Sequence, residues 1–377
     1  MLDAATALIL EDNTRRKESE GWSYPSILSG FNEFETSNCL FAFAMAKRFD
    51  QGLFNSLTDH MMEDDILSSC TPSSASRAMW SCSMLLSLHE AGSSRNNYKL
   101  VDLFHQLSPL LLSSSLSSTD ISNAMWAMAK SEYVIDKGIF DHLAKCMASD
   151  ETLQQSNTKL VAQALWSCGK MVEYEDPKSM AKIDETSDEI DEIYDDLPRI
   201  PYVKCAHRYI EFLSENRDQV SPKQISQSIW AVGRLRLSDR VLIEAMGDIA
   251  SCLHASLNAR EIASTIWGLS KVNYDNPEVI LKVVGRIMTP HIAKECTAQE
   301  ASMLLFALGK LQIREEDALV LFSSLSMILT RKLNDATSQS IVNSLWAFES
   351  MGIAPPPELL STWAHDRLGM NVSTHLK

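Results

Sequence analysis

Asn123, Trp126 and Lys130 stand at intervals of three and four residues in "ISNAMWAMAK", which places an amide, a flat ring and a cation on one side of a helix. The same trio recurs. Gln163, Trp166 and Lys170 repeat it, as do Gln227, Trp230 and Arg234. Ser264, Trp267 and Lys271 follow, then Met303, Phe306 and Lys310. Three outer copies, around Phe41, Trp80 and Trp346, keep the ring but vary the cation. Seven residues before each ring stand Phe34, Ser73, Thr119, Lys159, Lys223, Arg260, Gln299 and Gln339. Three before are Asn38, Arg77, Asn123, Gln163, Gln227, Ser264, Met303 and Asn343; four after are Met45, Met84, Lys130, Lys170, Arg234, Lys271, Lys310 and Ser350. These 24 positions hold nine Lys or Arg and no Asp or Glu, although the whole chain has 34 basic and 49 acidic residues. A surface offering cation, amide and ring once per repeat suits single-stranded RNA. Cations would neutralise phosphates, amides would meet base edges, and rings could stack bases. For the rings, packing between adjacent repeats is the alternative. For the cations four residues on, it is a solvated charge at a helix C-terminus.

The helices that must carry these residues are marked by their caps. Nine residues before each ring stands Asn32, Thr71, Ser117, Asn157, Ser221, Asn258, Thr297 or Thr337, all able to accept a bond from the first turn. Glu35, Asp120, Gln224, Glu261 and Glu300 follow three residues later as reciprocal partners, and Pro72 and Pro222 occupy first helical positions. Each cap opens a helix of about four turns. Second amphipathic segments, such as Ser238 to Leu253, Asn276 to Met288 and Glu315 to Leu329, lie between copies. The rings are 39, 46, 40, 64, 37, 39 and 40 residues apart. The expected fold is all-α: an α-solenoid of stacked helical hairpins, about eight repeats of period near 40 spanning residues 32–377 after an N-terminal region, 1–31. An aliphatic stripe five before, one before and two after the ring should meet the second helix. Small residues one and three after it, and four before it, should let first helices approach closely.

The 64-residue spacing contains an acidic insertion at 173–200; Glu173 to Asp196 carries eleven acids against Lys178 and Lys182. A flexible solvated loop is the plain expectation for it, and competition with RNA for the cationic face the sharper one. Net charge is −15, so this segment accounts for most of the acidity.

This pattern resembles the octotricopeptide repeat family of helical-repeat proteins. The likeness rests on "AMWAMAK", "ALWSCGK", "SIWAVGR", "LLFALGK" and "SLWAF", on the openings "SPKQI" and "NAREI", and on "PPPELLSTW", across about Asn32 to Trp363. Related signatures occur in the repeats of FAST-kinase-like RAP proteins. The "PPPE" start is clear only once here, and no RAP domain is evident. The resemblance implies sequence-specific RNA binding in a mitochondrion or plastid, supporting transcript stability, processing or translation. RNA-processing or ribosomal proteins are the further partners it suggests.

The residues predicted to contact RNA are Arg77, Asn123, Lys130, Lys159, Gln163, Lys170, Lys223, Gln227, Arg234, Arg260, Lys271, Gln299, Lys310, Gln339 and Asn343. The signature rings, structural or stacking, are Phe41, Trp80, Trp126, Trp166, Trp230, Trp267, Phe306 and Trp346. The competing expectation is an acidic protein-protein interaction scaffold. No catalytic motif, metal site or cofactor is expected: nucleotide, hydrolase and zincin signatures are missing, and His207 beside Cys205 has no further ligands. Eight cysteines without a CxxC pair read as buried reduced thiols in a soluble chain of a reducing compartment. No apolar run reaches the ~18 residues of a membrane span, and the first twenty residues resemble neither a secretory signal nor a clear presequence.

Overall fold

The structure, a computed structural model, describes residues 6–7, 9–11, 27–88, 95–113, 116–131, 136–175 and 200–368. Among these the fold is all-α, helix packed on helix, with no strand. The first helices of the repeats are α1 (Glu33–Met45), α4 (Pro72–Leu88), α6 (Ser118–Lys130), α9 (Thr158–Glu175), α11 (Pro222–Arg234), α13 (Ala259–Lys271), α16 (Ala298–Leu311) and α18 (Ser338–Met351). Their partners are α2 (Gln51–Met61), α5 (Arg95–Leu107), α7 (Lys137–Met147), α10 (Pro201–Glu215), α12 (Arg240–Leu253), α14 (Pro277–Gly285), α17 (Glu316–Arg331) and α19 (Pro357–Leu368). The expected two-helix repeat is incomplete. Short third segments precede the next cap, among them α3 (Asp64–Ser69), α8 (Asp150–Gln154) and α15 (Pro290–Glu295).

Every cap forms as its chemistry requires. Asn32, Ser117, Ser221, Asn258 and Thr297 close full capping boxes with Glu35, Asp120, Gln224, Glu261 and Glu300. Thr71, Asn157 and Thr337 accept from the N–H of Ser74, Leu160 and Ser340. For α12 the cap is Asp239, the second residue of the amphipathic segment that begins at Ser238. At the other end, the residue six after the ring turns left-handed in five repeats: Lys47, Arg236, Asn273, Gln312 and Gly352, with φ of 52°, 45°, 51°, 53° and 69°. Gln312 holds its turn by donating to Gly309 O at 2.6 Å and to Ser350 Oγ at 2.6 Å.

The chain divides into two compact units, residues 1–167 with 200–205 and residues 168–199 with 206–377, a division that passes through α9 and α10. In the first unit, α1 packs along α4 and α4 along α6. Ser76 donates its hydroxyl to Asp120 O at 2.7 Å, and Ser122 donates to Leu160 O at 2.9 Å. Both serines stand four before their ring and both carbonyls six before the next.

In the second unit, α11 packs along α13, α13 along α16 and α16 along α18. Ser302 donates to Ser340 O at 2.7 Å in the same offset. Glycine permits the closest approach: a Cβ built on Gly233 would lie 2.7 Å from the Gly268 Cα, and one on Gly309 would lie 3.1 Å from the Ala347 Cα. The small residue three after one ring therefore meets the small residue one after the next, as the sequence pattern requires.

The aliphatic stripe is the core. Ile121, Met125 and Met128 of α6, and Ile225, Ile229 and Val232 of α11, are all buried, beside Phe140 and Leu143 of α7 and Met246 of α12. Thr265 is fully buried, and its hydroxyl has no hydrogen-bond partner among the described residues. Thr265→Val keeps the shape and removes the unpaired donor, so it should raise stability by about 1 kcal/mol in a thermal unfolding comparison. A loss of similar size would show that the hydroxyl is satisfied.

Residues 176–199, most of the acidic insertion, lie outside the described residues, and its first three residues extend α9. Most of 1–31 and all of 369–377 also lie outside them.

Candidate nucleic-acid interface

The face read from sequence is the one the folded repeats leave open. None of the 24 positions seven before, three before or four after the rings is buried, whereas the aliphatic stripe is buried almost throughout. Lys130, Lys159, Lys223, Arg260, Gln299 and Gln339 are exposed. Arg77, Asn123, Gln163, Lys170, Gln227, Arg234, Lys271, Lys310 and Asn343 are half-buried.

The rings form ladders. In the first unit, Phe41 and Trp80 lie 5.4 Å apart between centroids, Trp80 and Trp126 5.9 Å, and Trp126 and Trp166 6.4 Å. In the second unit, Trp230 stacks on Trp267 at 6.4 Å and 25°, and Phe306 lies 4.9 Å from Trp346. Seven of the eight rings are half-buried, and Phe306 is buried at 6% exposure. Within each unit these paired rings thus pack against one another, and all of them but Phe306 stay partly exposed. Of the two readings of the tryptophan, packing between adjacent repeats is the one these contacts display.

Between Trp267 and Phe306 the ladder is bridged by a cation. The Lys271 Nζ lies 5.1 Å from the Trp267 centroid and 5.0 Å from that of Phe306, so its charge faces two π surfaces. Arg77 likewise lies over Phe34, 5.3 Å from the centroid. Spacing within one helix predicts Lys271 near Trp267, but its contact with Phe306 and that of Arg77 with Phe34 depend on the offset between neighbours.

The amides are tied together too. Gln163 Nε2 donates to Ser122 O at 3.0 Å, Ser122 Oγ at 3.1 Å and Asn123 Oδ1 at 3.3 Å, linking α9 to α6. Gln339 donates to Asn343 Oδ1 at 2.8 Å. The acids nearest the face are held in the caps: Glu261 Oε2 accepts the Asn258 N–H at 3.0 Å, and Glu300 Oε2 accepts that of Thr297 at 2.7 Å.

No cluster of three metal-ligating side chains occurs among the described residues, and none of their helices is long and apolar enough to cross a membrane. All eight cysteines are free thiols. Burial pushes Cys70 and Cys296 up to about 12, with Glu33 and Glu300 adding to the shift, and raises Cys82 further. Three depart from the expected burial: Cys39 and Cys146 are half-buried, and Cys252 is exposed on α12. The sequence matches no protein-family model and no curated protein.

Proposed function

We propose that the protein binds single-stranded RNA along the ring-bearing face of its first helices. The observation that carries this reading is the composition of that open face: nine cations, no acid and a ladder of flat rings, in a chain of net charge −15. An exposed surface free of carboxylates in so acidic a protein favours a polyanion. Half-buried rings and amides favour one whose bases are unpaired. The octotricopeptide likeness supports the same reading and extends it to sequence-specific recognition of organellar transcripts, in a mitochondrion or plastid, without enzymatic activity of the chain's own.

Binding to a randomised single-stranded RNA pool tests it. Affinity should fall by about a few hundredfold between about 50 and about 200 mM salt if six phosphates are contacted. Charge reversal at the exposed Lys130, Lys159, Lys223 and Arg260 should abolish binding while leaving helicity unchanged. Binding to the pool that ignores both salt and these reversals would remove the proposal.

A scaffold for another protein is the second reading. Leu319, Val320 and Met327, exposed at 40%, 56% and 54% on α17, favour it. Partner capture that survives nuclease treatment and is lost on converting these three to polar residues would support it over RNA.

A further inference from the structure

The face carries two rows of cations, and their surroundings differ. One row stands four after the ring, in the last turn of the first helices: Lys130, Lys170, Arg234, Lys271 and Lys310. All but Lys130 are half-buried and engaged with neighbours, Lys271 on two rings. Their position also suits the negative end of the helix dipole, so the fold itself accounts for them.

The other row stands seven before the ring, at the second residue of each helix: Lys159 in the first unit, Lys223 and Arg260 in the second. All three are exposed, and no ion pair or hydrogen bond involves their side chains among the described residues. The fold does not account for them. A cation in a first turn meets the positive end of the dipole, at a cost of about 0.3 to 1 kcal/mol each. Gln299 and Gln339 continue the row in the second unit, also exposed.

From this contrast we infer that in each unit the phosphates of bound single-stranded RNA run along the first-turn edge of that unit's face, on Lys159 in the first and on Lys223 and Arg260 in the second, while Arg234, Lys271 and Lys310 brace the rings of the second unit. This rests on the RNA-binding reading and specifies how the strand lies. Gln163, Gln227 and Ser264 stand one turn further along their helices, about 6 Å away, where a base attached to such a phosphate would reach. The last-turn cations are about 16 Å from the first-turn row, too far to share the same phosphate. The positions three before the ring therefore face the bases.

Two triple variants of the full chain separate the rows: Lys159→Gln with Lys223→Gln and Arg260→Gln, and Arg234→Gln with Lys271→Gln and Lys310→Gln. For the first, the slope of log affinity against log salt on single-stranded RNA should shrink by about 2, near 0.7 per lost phosphate contact, with Tm unchanged or raised. For the second, the slope should hold while Tm falls. An unchanged slope in the first variant overturns the inference, as does a slope lost in the second variant alone. Should the second variant fail to fold, the first decides by itself. A parent chain that binds no RNA at low salt removes the RNA-binding reading beneath it, an outcome distinct from either.

Discussion

Gly268→Val is expected to lower the free energy of unfolding by about 3 kcal/mol, and Gly268→Ala by about 2 kcal/mol, although either residue would favour an isolated helix over glycine. The loss comes from the contact between α11 and α13. A Cβ on Gly268 would run into the Ile229 carbonyl, 2.7 Å from its carbon and closer still to its oxygen, and Gly233 already sits against the Gly268 Cα. Backbone cannot rotate aside as a side chain can, so the helices must separate. Separation would also pull Trp230 from Trp267. Gly285, at the end of α14 with nothing within 4 Å of an added Cβ, is the control: Gly285→Ala should gain about 0.5 to 1 kcal/mol. Urea unfolding of the three variants checks the set. Parental stability in Gly268→Ala would mean that the helices are not held this closely.

Gly268 also illustrates what the chain spells out in advance. A small residue one after the ring recurs in every copy, so close approach of first helices was legible from Ala127, Ala231, Gly268 and Ala347 alone. The caps were legible for a related reason: a side-chain oxygen at Asn258 and a carboxylate at Glu261 need only each other's backbone three residues away. The open face followed from 3.6-residue periodicity. Short segments escaped, because the five or six residues of α3, α8 and α15 make too few turns to show a period. Contacts between repeats escaped as well. That Gln163 spends its amide on Ser122 and Asn123, or that Lys271 lies between two rings, depends on how far one helix is offset from the next. Spacing therefore placed Lys223 and Lys271 on one face, and only packing distinguishes the exposed cation from the bracing one.

Trp126→Ala should be the second large perturbation, costing about 2 to 3 kcal/mol, somewhat less than a fully buried tryptophan because the ring is only half-buried. Trp126 is an inner rung, touching Trp80 at 5.9 Å and Trp166 at 6.4 Å, so its removal strips two ring contacts at once. Trp126→Phe should cost no more than about 1 kcal/mol, since phenylalanine already fills the equivalent place at Phe41 and Phe306. The pair also separates the ring's two roles. If its outward edge stacks a base, RNA affinity should fall for alanine by more than unfolding explains, about fivefold or more at a temperature where the variant is folded. Phenylalanine should restore most of it. If the ring only braces α4, α6 and α9, affinity at that temperature stays at the parental level for both variants, and recognition passes to Asn123 and Gln163 beside it. Stability loss in Trp126→Ala below about 1 kcal/mol would instead show that the ladder is incidental to the stack.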